Sequence, residues 1–158
     1  MMRRMILVPL LAISAASLVV VTLPAAANAA APRAVARTFT LVERATTDVV
    51  TDTGKKGDSA GDLLTFANDL YNASNTTKVG TDNGFCVRTV VGTAWECWWT
   101  ATLAGGQITV QGPFYDAGDS NLAITGGTGI YKRARGFMTL HARNAEGSEY
   151  DFTYHVKR

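Results

Sequence analysis

The chain has little from which a metal centre or a hydrolase site is usually assembled. Two histidines and two cysteines are spread over 158 residues. His141 and His155 lie far from Cys86 and Cys97 without ligand spacing, so no zinc site can be drawn from them and no metal is expected. A Ser/His/Asp set and a nucleophile motif are both missing, which removes covalent hydrolysis as a reading. The one glycine-rich stretch, Thr125-Gly126-Gly127-Thr128-Gly129, lacks the lysine and Ser/Thr ending of a phosphate loop and the spacing of a dinucleotide fingerprint. A phosphate cradle therefore yields to a structural turn, in which Gly126, Gly127 and Gly129 supply backbone angles that other residues reach only with strain.

A large basic excess is missing too. Met1-Met2-Arg3-Arg4, an apolar run from Met5 to Leu23, and Ala27-Asn28-Ala29 are the three parts of a secretory signal peptide covering 1–29, with cleavage expected after Ala29 and secretion as the destination. The competing reading is a retained membrane anchor, because the apolar run is nearly long enough to span a bilayer. Removing Arg3 and Arg4 from fifteen Lys and Arg leaves thirteen, against thirteen Asp and Glu. A neutral mature chain argues against a nucleic-acid partner, which would need a basic face. Residues 30–34 read as a linker, and 35–158 as one domain with room for a real core.

What is present is β pattern. From Val35 to Arg44, Val35, Phe39, Leu41 and Glu43 alternate with Thr38, Thr40, Val42 and Arg44, so Glu43 sits on the apolar side of its strand. A carboxyl there is costly unless paired or protonated; it is either a functional group or the frayed end of the strand. Residues 45–60 are polar and read as a mobile loop. Segment 61–71 is ambiguous. Leu63, Leu64, Ala67, Leu70 and Tyr71 have helical spacing, while Leu64, Phe66, Asn68 and Leu70 also make one face of a strand. Phe85 to Val91 and Ala94 to Leu103 form a hairpin around Val91-Gly92, whose register sets Cys86 opposite Cys97 and Arg88 opposite Trp95. A disulfide between those cysteines fits an oxidising compartment. Strands then follow at Gln107 to Tyr115, Asn121 to Thr125, Gly136 to Arg143 and Glu149 to Val156, the last with Tyr150, Phe152, Tyr154 and Val156 on one face. Counting 61–71 as a strand gives eight. Eight short-turned strands fit an all-β, antiparallel up-and-down barrel, with an interior sized for side chains or one small ligand.

Ile124-Thr125-Gly126-Gly127-Thr128-Gly129-Ile130-Tyr131-Lys132-Arg133-Ala134-Arg135-Gly136 resembles the glycine-turn signature of plant dirigent proteins, and the wider pattern is more similar to allene oxide cyclases. The matching pieces are Gly61-Asp62 with Phe66, Asn68 and Leu70-Tyr71, then Gly84-Phe85-Cys86-Val87, Gln107 to Phe114, and Leu122 to Gly127. The resemblance implies an eight-stranded calycin-like barrel with a ligand cavity, commonly a homotrimer, and makes 61–71 a strand. It implies that Glu43, Asn68, Cys86 and Phe114 line the pocket, Glu43 as catalyst and the others against substrate. The chain departs from the pattern in two places: Phe114 stands where the cyclases have a tyrosine, and Ala45 where they have a polar residue.

Such a site implies no cofactor, since a cavity of aromatic side chains orients a small apolar or polyunsaturated ligand by shape. Glu43 would stabilise positive charge or move a proton. Arg88 shares the face of Cys86, so it either pairs with Glu43 inside the barrel and binds substrate there, or lies with it at a wet rim. Asn68 either orients a substrate oxygen or satisfies a backbone group. Trp95, Trp98 and Trp99 suit core and subunit contact better than a binding platform. Three function classes remain: a cofactor-free cyclase or isomerase, a dirigent-like guide working with a partner oxidase, and a lipocalin-like carrier.

Overall fold

The computed structural model describes residues 36–157; the signal-peptide reading of 1–29 and the linker 30–34 lie outside them. The strands are β1 (Ala36–Arg44), β2 (Val49–Thr51), β3 (Leu63–Asn72), β4 (Lys78–Val90), β5 (Ala94–Leu103), β6 (Gly106–Tyr115), β7 (Ser120–Gly127), β8 (Arg135–Ala142) and β9 (Glu149–Lys157), with a single 3-10 turn at Gly129–Tyr131. From β3 to β9 each strand pairs antiparallel with the next, and β1 closes the circle by pairing with both β9 and β3. The result is a closed eight-stranded antiparallel barrel that leaves these strands without a bare edge.

Segment 61–71 is a strand over most of its length, despite its helical spacing. Only an extended β3 can hydrogen-bond to β4 on one side and to β1 and β2 on the other, and its lumen face is Leu64, Phe66, Asn68 and Leu70. The 45–60 stretch, expected as a mobile loop, is corrected in part. It contains β2, which pairs with Leu63–Thr65 of β3 and continues the line of β1 after a break. Two aspartates fix the remainder of that stretch: Asp62 accepts from the Thr53 and Ser59 amides, and Asp52 from the Gly57 amide.

The β4–β5 hairpin has the expected register, Cys86 opposite Cys97 and Arg88 opposite Trp95, and the disulfide forms. Its turn is longer than two residues, however. Val90 pairs with Ala94, a register shift follows Arg88, and residues 91–93 make the turn. β4 also begins at Lys78, seven residues before the expected start, and this extension brings Asp82 into the barrel wall. Between β3 and β4, Asn72 accepts from the Thr76 and Thr77 amides, and Asn75 is held between Arg44 and Glu149.

Inside, Leu41, Leu70, Trp99, Ile108, Val110, Leu122, Met138, Phe152 and Tyr154 form one continuous core. Burying each large apolar side chain stabilises by roughly 1.5–3 kcal/mol before entropy is counted. Trp95 and Trp99 belong to that core, whereas Trp98 is half exposed on the outside beside Phe85.

The glycine turn between β7 and β8 works differently from the expectation. Gly126 and Gly127 are strand residues with ordinary backbone angles, and only Gly129 has positive φ, at 58°. Gly127 is needed for space, since a Cβ there would collide with the Gln107 carbonyl and with Tyr131. A Cβ on Gly129 would strike the Gly105 carbonyl. The motif thus lets the β7–β8 connection lie against the β5–β6 turn, where the Ile130 amide donates to the Gly105 carbonyl.

Candidate active site

The site grows out of the break between β1 and β2. Where the ladder along β3 is interrupted, the chain's free N–H groups must find other acceptors. Asn68 supplies one: its Oδ1 accepts from the Thr46 amide, the Thr47 amide and the Thr47 hydroxyl, each at 3.0 Å. The Thr47 Oγ1 in turn accepts from the Ala67 amide at 2.8 Å. Three donors on Oδ1 settle which end of the carboxamide is nitrogen. The Nδ2 group then has one orientation left, and it donates to Glu43 Oε1 at 2.9 Å and to Asp48 Oδ1 at 2.7 Å. Asn68, 1 % exposed, satisfies backbone and orients two carboxyl groups at once.

Glu43 is 5 % exposed, so the frayed-end reading does not hold. Burial, then the neighbouring Asp82 and Asp48 charges, push its carboxyl well above the usual range, against the lowering pull of the Asn68 hydrogen bond. Asp82, directly opposite Asn68 in the β3–β4 register and 1 % exposed, is pushed up to about 7, chiefly by burial. Burial and its acidic neighbours therefore favour the protonated form of Glu43, in a largely apolar chamber.

That chamber is lined by Glu43, Asp48, Phe66, Trp99, Phe114 and Tyr150, with Leu64, Leu140, Phe152 and the Cys86–Cys97 disulfide completing its wall. The free volume is only about 30 Å³, enough for roughly two waters. The rings make it narrow. Phe66 meets Trp99 edge-on at 5.9 Å, and Phe114 meets Tyr150 edge-on at 6.0 Å. Phe114 and Tyr150 are both only partly buried.

Of the residues expected at the site, Glu43, Asn68, Cys86 and Phe114 are brought together. Cys86 contributes its half of a disulfide and no thiol. Arg88 is not part of this group, which corrects the expected pairing with Glu43 and the wet-rim alternative alike. Its Nε lies 2.7 Å from Asp58, its Nη1 lies 2.7 Å from both oxygens of Asp116, and its guanidinium stacks 4.0 Å over Trp95. With 8 % exposure it fastens the 45–60 segment to the end of β6, outside the chamber.

Three contributors were missed. Asp48 lies in a non-periodic stretch and carries no signal. Asp82 has the same strand parity as Cys86, a signal that becomes visible once β4 is known to start at Lys78. Tyr150 was placed on the inward face of its strand but not connected with the site. Among the described residues, no group of three or more His, Cys, Asp or Glu is arranged to hold a metal ion.

The family model described as allene oxide cyclase matches residues 35–145. The chain belongs to this family. A solved structure of pyocyanin demethylase shares 30% identity, with 73% of this chain and 98% of that one covered at a TM-score of 0.64. The pterocarpan synthase dirigent protein GePTS1 shares 14% identity, covering 79% and 84% at a TM-score of 0.62. The Diels-Alderase AbmU from Streptomyces koyangensis also shares 14%, covering 82% and 70% at 0.61. The last two likenesses show the same barrel. In this member of the allene oxide cyclase family, the barrel carries an Asn68-centred carboxyl cluster facing a slot walled by aromatic rings.

Proposed function

We propose that the barrel lumen takes one flat, conjugated small molecule and that Glu43 moves a proton on it, so that the protein works as a cofactor-free isomerase or cyclase. The observation that carries this reading is Glu43 itself, a carboxyl whose protonated form burial favours, aimed by Asn68 and opening onto a ring-lined slot. Phe66, Trp99, Phe114 and Tyr150 favour a planar π-system over a branched aliphatic one. By parting the Phe114 and Tyr150 rings and displacing the little water present, such a ligand places its conjugated atoms against the acid in a dry setting. Proton donation at one position and proton return from another relocates a double bond or triggers ring closure, and restores Glu43.

A second reading concerns the substrate. The 30% identity to pyocyanin demethylase, against 14% for the dirigent protein and the Diels-Alderase, favours a nitrogen heteroaromatic of the pyocyanin type as the substrate. In line with the family resemblance, we take the protein to be a secreted homotrimer; the disulfide supports export.

Pyocyanin and a conjugated triene, offered separately to the purified mature protein, test these readings by Trp fluorescence quenching for binding and product analysis for turnover. Turnover without an added oxidant supports catalysis, and turnover of pyocyanin rather than the triene selects the second reading. Turnover that needs an external oxidase identifies a dirigent-like guide, and binding without turnover in either condition identifies a carrier.

A further inference from the structure

Asp82 is the one buried carboxyl in the barrel that no ordinary donor satisfies. Neither of its oxygens has a close hydrogen-bond partner, the backbone amides of Asn68 and Asp82 being the N–H groups that act on it, although the residue is 1 % exposed. Its one side-chain partner is the carboxyl of Glu43. The register explains the contact: Glu43 and Asp82 project from β1 and β4 on either side of β3, with Asn68 between them opposite Asp82. Two carboxyl groups hydrogen-bond to each other only when one carries a proton, because ionised carboxylates only accept. Nothing else neutralises them. Arg88 is the only buried cation among the described residues, and it is committed to Asp58 and Asp116. The other titratable groups that face the pair, Asp48 on the β1–β2 link and Tyr154 on β9, bring no positive charge, and Tyr150 on β9 faces Glu43 in the same way.

We infer that Glu43 and Asp82 form a carboxyl dyad holding one proton between them, with Asp82 a positioning residue that acts on the substrate through Glu43. This rests on the reading of Glu43 as the acid. In the resting dyad Glu43 carries the proton and Asp82 is the carboxylate that holds it there. Glu43 gives the proton to the conjugated substrate, whose positive charge then faces two carboxylates. Glu43 next takes a proton from another position of the same molecule. The dyad ends as it began, so protons and charge balance without a further reactant.

The dyad is tested by following the Glu and Asp side-chain carboxyl signals by carbon NMR from pH 4 to 9 in the ligand-free protein, for wild type, Asp82→Asn and Glu43→Leu. Asp82→Asn replaces an anion beside Glu43 with an amide donor, and the Glu43 midpoint is expected to fall by at least one pH unit, a tenfold change. The alkaline limb of kcat should move down with it, a shift of the pH profile that a purely structural role would not produce. Should Asp82→Asn fail to fold, Glu43→Leu reads the same coupling from the other side: it removes the Glu43 hydrogen bond that lowers the Asp82 midpoint, which should then rise from about 7. Midpoints that do not move in either variant overturn the dyad. Coupled midpoints without turnover on any substrate support the dyad and remove the catalytic reading, whereas turnover with uncoupled midpoints does the reverse.

Discussion

Two of the sets of charged residues buried in this barrel are treated in opposite ways. Arg88 is buried at 8 % exposure and paired with opposite charge, with Asp58 and Asp116 beside its nitrogens and Trp95 beneath its plane. Glu43 and Asp82, at 5 % and 1 %, have no cation at all. The first set is neutralised by opposite charge and ties chain segments together. The second is neutralised by a proton, which can leave. Burial of charge therefore marks function only where the compensation is mobile.

Breaking the second set should have the largest effect. Glu43→Gln keeps shape and hydrogen bonding but removes the acid, and kcat should fall roughly 100- to 10,000-fold with binding retained; unchanged turnover would remove Glu43 from the chemistry. Asn68→Asp exchanges the donor shared by Glu43 and Asp48 for another carboxyl. It should cost about 4 kcal/mol in urea unfolding at pH 8 and recover much of that at pH 5, where the added group is protonated. A loss that does not depend on pH would show that only the Thr46 and Thr47 amides matter.

Breaking the first set should cost stability and spare chemistry. Arg88→Met leaves two aspartates without their cation, and because both are about one-third exposed the loss should be near 3 kcal/mol, with kcat per folded molecule within a few-fold of wild type. Replacing both Cys86 and Cys97 by alanine opens a loop of 11 residues and should cost roughly 2–3 kcal/mol in the same assay. Phe114→Tyr is expected to be the mildest change, within about 0.5 kcal/mol in stability. Its hydroxyl, reaching the slot between Trp99 and Tyr150, should alter KM more than kcat.

The barrel was largely legible because its strands obey a two-residue period with short turns, and β9 shows this most plainly: Phe152, Tyr154 and Val156 are buried as the alternation requires. Segment 61–71 was not decidable by periodicity. Its apolar residues satisfy both periods, and only the demand for a partner between β1 and β4 makes it a strand. Glu43 was visible as a carboxyl on an apolar face. Asp82 was not, because glycines at 80 and 84 dilute the pattern at the start of β4, and Asp48 became a neighbour only through the break after β1. Arg88 was placed on the face it shares with Cys86, but its partners come from loops whose positions no alternation encodes.

The account rests on Glu43 and Asp82 being buried with a proton, and stability as a function of pH measures that most directly. Carboxyls whose folded pKa is raised stabilise the fold below their unfolded values near pH 4, and that contribution is lost as pH rises through the folded values, at about 7 for Asp82 and well above the usual range for Glu43. Urea unfolding from pH 4 to 9 should therefore show wild type losing stability relative to the Glu43→Gln/Asp82→Asn double variant, by an amount on the order of a few kcal/mol across that window. A constant difference, or wild type gaining on the double variant as pH rises, would mean that the two carboxyls are ionised in the folded barrel and would contradict the account.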